Sequence, residues 1–470
     1  MAFRYVGHLL FHDRNATFRP EEPIVVDKYL SAEDKFTFID VIPGVIRPPT
    51  GGFHVGAKRT SAVYNSFSSL IESANEWLLK NNEWEVINLE TVLLFFKATE
   101  NSGCHLVPED TCFPLDGEVH SSIMGLRKVK LTSSDEKNRM WLKRREGEEA
   151  RDSDESKPIS QTLKYVDFIP QTDDDDDKSR FEKLDAVVDR ANKSIKDGRL
   201  DGKIITIETL NFPANAEWQI DPELTLHIFP TKCVSIIRIF YEKGEICKDL
   251  IGIEDFVPKR ISGGGFFKKP EFQTVSDCIQ RASEWLSDNP NYDFKNAQCL
   301  EVKMKSLSVI DTKIMSHSAD RGDYIRIFRV AYTKPIAQNE FGASRPIFLT
   351  SVIFTPGDQE ATIYEIKRKM QEWISAATRE INSSGDQTGP RPQLLSAETV
   401  EIFTKEFTEE EIKAETENTF QFNRIGTMNS FLFVAFRVYF DVGFLCRKYR
   451  SKSISSTIST HKHNTNCKLM

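Results

Sequence analysis

One pattern recurs four times along this chain, and that recurrence constrains the fold more than any other feature. The clearest copy runs from Phe67 to Leu93, FSSLIESANEWLLKNNEWEVINLETVL, and reads as a helix, a short break and a strand. Ala74, Ala191, Ala282 and Met370 are each followed three residues later by Trp77, Ser194, Trp285 and Trp373, then by Leu78, Ile195, Leu286 and Ile374. Downstream, a strand pattern carries Glu90-Thr91, Glu208-Thr209, Gln298-Cys299 and Glu398-Thr399. A period of roughly a hundred residues is the size of an ordinary domain, so each copy can bury a core of its own. Short solenoid repeats, which fold only against their neighbours, are a different case.

The helix follows from spacing. Phe67, Leu70, Ile71, Ala74, Trp77 and Leu78 fall on one stripe of a 3.6-residue period, and Val275, Cys278, Ile279, Ala282, Trp285 and Leu286 repeat it. The tryptophans at the end of the stripe read as core anchors over a sheet. The strand after the helix alternates. Ile87, Leu89, Thr91 and Leu93 are predicted on the face towards the helix, with Asn88, Glu90 and Val92 on the other. Ile205, Ile207 and Thr209 fill the inner face in the second copy, and Leu395, Ala397 and Thr399 in the fourth.

Each copy opens with a short β-branched and aromatic run stopped by proline: FTFIDVIP, YVDFIP, IEDFVP and SVIFTP. Asp40, Asp167 and Asp255 stand three residues before that proline, with Ile353 in the fourth copy, and read as sheet-edge or turn residues. Each copy closes with a strand that begins at or contains an arginine: Arg139, Arg238, Arg326 and Arg437. In the second copy parity turns Ile237, Ile239 and Tyr241 to the helix and Arg238, Phe240 and Glu242 away; in the fourth it turns Arg437, Tyr439 and Asp441 away.

The expected fold is therefore α+β: four tandem divergent β-α-β-β repeats, each an antiparallel sheet with one helix packed on one face. The expected division is a lead-in segment 1–30, repeat 1 at 31–145, an acidic linker at 146–160, repeat 2 at 161–246, repeat 3 at 247–336, repeat 4 at 345–443, and a basic disordered tail at 444–470. A length of 470 residues, enough for about three to four domains, agrees. The linker REGEEARDSDESKP and the run Asp173 to Asp177 read as solvated chain.

Composition narrows the function classes. The chain is 39% hydrophobic and 28% charged, as in globular proteins, and its net charge of −8 gives no overall footprint for nucleic acid. Residues 428–446 resemble a membrane anchor with a basic flank, but Arg437 and Asp441 would each cost about 2.5–3.5 kcal/mol near a bilayer centre. They also match RIFYEKG of the second repeat, so a strand and no membrane span is expected. The start, MAFRYVGHLLF, has no apolar run of signal-peptide length, which places the chain in the cytoplasm. The eight cysteines form no CxxC pair, and Cys104 and Cys112 are expected to stay reduced there. The N-x-S/T triplet at Asn192 then carries no weight. Gly51-Gly52-Phe53 and Gly263-Gly264-Gly265-Phe266 have neither GxGxxG nor P-loop spacing and read as connectors.

No nucleophile, base or metal-ligand constellation repeats. The candidate ligand-binding residues are those of the polar sheet face: Glu90, Arg139, Glu208, Arg238, Phe240, Glu398, Arg437 and Tyr439. No catalytic or metal-ligating residue is assigned, and no cofactor is expected. A cross-strand pairing of Glu with Arg is the plain reading of that face. It points to a non-enzymatic, intracellular protein that binds a protein or small-molecule partner. An enzyme or small-ligand binder with its site between sheets is the alternative. The glycine pair, long helix and following antiparallel strands of the first repeat also resemble the cystatins, which implies a protease inhibitor. The QxVxG hairpin of that family is absent from every copy.

Overall fold

A computed structural model describes residues 20–28, 30, 34–47, 63–99, 103–106, 109–115, 133–145, 161–172, 181–228, 232–263, 270–306, 309–318, 322–336, 345–383, 393–404, 408–421, 430–442 and 467–469. The acidic linker, the aspartate run, Gly51-Gly52-Phe53 and most of the basic tail lie outside them. The fold is mixed α and β, with antiparallel strands throughout.

The first part of the chain holds β1 (Ile24–Val26), β2 (Phe36–Ile42), β3 (Val45–Arg47), β4 (Val63–Tyr64), α1 (Phe67–Lys80), β5 (Trp84–Thr99), β6 (Gly103–Leu106), β7 (Cys112–Leu115) and β8 (Ser133–Arg144). Then come β9 (Leu163–Phe168), α2 (Leu184–Lys196), β10 (Gly202–Pro213), β11 (Leu226–Ile228) and β12 (Lys232–Lys243). The third stretch is β13 (Asp249–Phe256), β14 (Arg260–Ser262), β15 (Glu271–Phe272), α3 (Val275–Asp288), β16 (Asp293–Lys303), β17 (Ser316–Ser318) and β18 (Tyr324–Pro335). The last is β19 (Leu349–Phe354), α4 (Ile363–Ser383), β20 (Gln393–Thr404), α5 (Glu409–Glu417), β21 (Phe420–Gln421), β22 (Ser430–Asp441) and β23 (Cys467–Leu469).

The four main sheets share a strand order: β2-β8-β5, β9-β12-β10, β13-β18-β16 and β19-β22-β20. In each, the last strand lies between the first and the middle one. Within residues 428–446, weighed above as a membrane anchor, Ser430–Asp441 form the central strand β22, and no described helix is long and apolar enough to cross a membrane.

Local chemistry starts the helices. Ser66 accepts the Ser69 N–H ahead of α1, and Thr274 and Asp277 form a reciprocal capping box ahead of α3. Gly198 takes the left-handed conformation that ends α2. α5 starts as α1 does: Thr408 and Glu411 stand at capping-box spacing, and Thr408 accepts the Glu411 N–H.

The cores do not stay within their own sheets. α1 buries Phe67, Leu70, Ala74 and Trp77 against Leu89 and Met140 of the first sheet, and the same cluster includes Leu163 and Phe240 of the second. α2 lies likewise between the second and third sheets, meeting Ile251 and Ala331. α3 lies between the third and fourth, meeting Leu349 and Tyr439. α4 closes the circuit: Ile366 and Met370 pack with Phe436 of their own sheet and with Phe36, Phe38 and Trp141 of the first. Sheets and helices thus alternate around a ring. The expectation of a helix on one face only is corrected, because the second face of every sheet covers the helix of the sheet before it.

Short strands follow the same direction. β11 pairs with β8, β17 with β12, β21 with β18, and β7 with β22. Each belongs to the loop before a sheet's last strand and extends the sheet before it in the ring.

Parity along the middle strands is also corrected. A bulge falls at one place in all four: between Val86 and Asn88, Ile204 and Thr206, Phe294 and Asn296, and Leu394 and Ser396. The extra residue flips faces. Ile87, Ile205 and Leu395, expected against their own helices, pack instead into the core of the preceding unit of the ring. Val86, Ile204, Phe294 and Leu394 take the inner positions.

Candidate functional site

The strand registers bring the repeated polar residues together. Glu90 stands opposite Arg139, Glu208 opposite Arg238, and Glu398 opposite Arg437. In the third sheet Gln298 faces Arg329, not Arg326, so the sequence assignment of that arginine was three residues off. Arg326 faces Glu301 and pairs with it at 3.3 Å.

Each arginine takes its carboxylate from the other side. Asp40 receives Arg139 Nε and Nη2 at 2.7 and 2.9 Å. Asp167 receives Arg238 at 2.8 Å on each oxygen, and Asp255 receives Arg329 at 2.6 and 2.7 Å. These forked bonds make the aspartates the arginines' main partners, a role added to the sheet-edge placement expected for them, which Asp167 and Asp255 do have. The fourth sheet has Ile353 in register with Arg437, so the aspartate of the other sheets has no counterpart at that position. Arg437 is fully buried, its nearest acid is Glu398 at 3.8 Å, and its Nε and Nη1 meet no hydrogen-bond partner among the described residues.

The glutamates point across the ring. Glu208 accepts the Thr91 N–H and hydroxyl at 2.9 and 3.0 Å. Gln298 accepts the Thr209 N–H at 2.8 Å, and Glu398 the Cys299 N–H at 2.7 Å. Glu90 accepts the Thr399 N–H and hydroxyl, each at 2.8 Å, and closes the circuit. The donors lie where β5, β10, β16 and β20 have no paired strand on that side, so their outward N–H groups have no ladder partner. Three residues before each, Asn88, Thr206 and Asn296 add to the same seam: Thr206 accepts the Leu89 N–H, Asn296 accepts the Ile207 N–H, and Asn88 donates to the Ala397 carbonyl.

Arginines cross the same seams. Arg139 donates to the Thr399 hydroxyl at 2.9 Å and Arg329 to that of Thr209 at 3.0 Å. Aromatic rings lie against two of the arginines, with the Arg238 guanidinium 3.7 Å from the centre of Phe67 and that of Arg139 4.3 Å from the centre of Phe38. Phe240 and Tyr439 are fully buried in the cores of the preceding units, and Tyr439 donates to Glu398 at 2.5 Å.

Burial sets the charges. It pushes Glu90 up to about 7, against the pull of Arg139, and Glu208 up to about 8. Burial also works to raise Asp40, but Arg139 and Lys137 outweigh it and hold that carboxyl at about 2. Burial pushes Lys137 down to about 8, opposed by Asp40 at 2.7 Å. The Cys299 thiol is pushed far up by burial and by Glu398, away from nucleophilic character. No group of three metal-ligating side chains occurs among the described residues.

Sequence reasoning missed the helix asparagines. Asn75 bonds both backbone groups of Leu163, at 2.9 and 2.6 Å, and Asn192 does the same to Ile251 at 3.0 and 2.8 Å. The signal was an Ala-Asn pair ahead of the helix end in two copies. The described cysteines form no disulfide, and Cys112 is buried.

Comparison with known proteins adds nothing to this geometry: no family model, curated protein or solved structure matches the chain.

Proposed function

We propose that the chain is a closed scaffold of four divergent β-α-β-β repeats that acts by binding a protein or small-molecule partner, not by chemistry at its polar sheet faces. One observation carries this reading: the repeated glutamates are taken up in holding sheet to sheet, and Arg139, Arg238 and Arg329 are forked onto aspartates of their own sheets. Glu208 spends both carboxylate oxygens on Thr91, and Arg139, Arg238 and Arg437 are fully buried. Buried thiols at Cys112, Cys233, Cys247 and Cys278 suit a reducing compartment inside the cell.

A second reading, a small-ligand site, is favoured at one place only. There Arg437 lacks the aspartate that its three counterparts bind. The inhibitor reading keeps in its favour only the order of helix and strands.

The test is Glu208→Gln and Arg238→Leu in the full chain. The scaffold reading expects lower unfolding midpoints and unchanged partner capture from the cell's own extract among the molecules that stay folded. A variant of full stability that loses a captured ligand, or loses turnover of a screened substrate, would overturn it.

A further inference from the structure

The outer edges of the four sheets are equivalent in register but not in occupancy. On the first sheet β1 pairs with Asp40, Val41 and Ile42. On the fourth, β23 pairs with Val352, Ile353 and Phe354. Asp40 and Ile353 are the same position, three residues before the proline. Segments near the two ends of the chain therefore add a strand at one equivalent place.

The second and third sheets have no such strand among the described residues. Their edges are closed at both ends. Asn75 takes the backbone of Leu163, and Arg190 reaches the Ile169 carbonyl at 2.6 Å. Asn192 takes the backbone of Ile251, and Arg281 reaches the Val257 carbonyl at 2.6 Å. On an edge strand alternate residues turn their N–H and C=O outward. Parity from Leu163 and Ile251 then gives Tyr165 and Asp167, and Ile253 and Asp255, as the outward pairs. Those backbone groups have no partner on that side among the described residues.

We propose that these two edges, centred on Asp167 of β9 and Asp255 of β13, receive an extended apolar strand from a partner protein. The occupant's chemistry is read from the strand that fills the equivalent edge. β1 is Ile24-Val25-Val26, uncharged and β-branched, and its central Val25 packs against the core of α1. A partner strand would take its affinity from main-chain hydrogen bonds and its selectivity from an apolar central residue. The proposal rests on the reading of the chain as a binding scaffold, and names the class of partner.

The probe is a labelled peptide of residues 20–28 added to the full chain, followed by anisotropy and residue-resolved amide exchange. In the free chain the Asp167 and Asp255 amides should exchange fast, and those of Asp40 and Ile353 slowly. The peptide should protect Asp167 and Asp255. Val26 pairs with Asp40, so it shares the bonding parity, and methylating its amide should weaken binding at least about tenfold. Methylating the Val25 amide, which points away, should leave binding unchanged. Protection of Asp167 and Asp255 in the free chain at nanomolar concentration would overturn the proposal. So would absence of binding at millimolar peptide, or binding indifferent to the Val26 methyl group. Those outcomes leave the scaffold reading standing, because it falls only on the Glu208 and Arg238 variants.

Discussion

Thr91 gives both its backbone N–H and its hydroxyl to the carboxylate of Glu208, a residue of a different sheet 117 positions along the chain. An edge strand that would otherwise offer open donors is closed by a side chain in place of another strand. The relationship recurs from Glu90 to Thr399, so the same bond that joins neighbouring sheets also joins the first sheet to the last.

Glu208→Ala should destabilise the chain by about 1–3 kcal/mol, because it strands a buried N–H and a hydroxyl at once. In a double-mutant cycle with Thr91→Val the two changes should couple by about 0.5–3 kcal/mol. Urea unfolding measures this directly. Strict additivity would show that the two groups do not depend on each other.

Arg437 offers a reciprocal test. Asp255→Ala should cost about 3–5 kcal/mol by leaving Arg329 buried without its forked partner. Ile353→Asp places a carboxylate where Arg437 has none, at the cost of apolar contacts with Ile402 and Ile412. It should be better tolerated with Arg437 present than in an Arg437→Met background, by about 1.5–3 kcal/mol. Equal cost in both backgrounds would mean that the new carboxylate does not reach the guanidinium.

Stability should depend on pH through the seam glutamates. Glu208 titrates at about 8 in the fold against an ordinary 4.5, so between those values the folded chain holds a proton that the unfolded chain has lost. Glu90, at about 7, acts in the same sense. Unfolding free energy therefore falls as pH rises from about 4.5 towards 8. Lys137 and Lys367, pushed down to about 8 by burial, act oppositely: the folded chain binds fewer protons, and stability recovers between 8 and 10.5. Urea titrations across this range should show a minimum near pH 8. Glu208→Gln should shallow its acid limb, and an unchanged limb would count against the assignment.

A ring has no privileged starting sheet. A circular permutant that joins residue 470 to residue 1 and opens the chain within 337–344 should fold with a single cooperative transition. Its fourth sheet would precede the first while keeping the bonds from Thr399 to Glu90 and from Arg139 to Thr399. Separate transitions for residues 345–442 and the remainder would argue against closure.

What the sequence determined is local. The 3.6-residue stripe from Phe67 to Leu78 and the proline-stopped strands produced the helices and the first strands, because those periods need only neighbouring residues. Parity turned Arg238 and Phe240 away from α2, and α2 does pack on Ile237 and Ile239. The tertiary structure decided where the outward face goes. Nothing near Ile87 or Ile205 announces a bulge, since the residue that moves is held by a core belonging to another sheet. Asp40 reads as a sheet-edge or turn residue, and its partner Arg139 stands ninety-nine positions away. Periodicity fixes which side of a strand a residue occupies, but what covers that side depends on contacts between segments a hundred residues or more apart, and these exist only once the ring has closed.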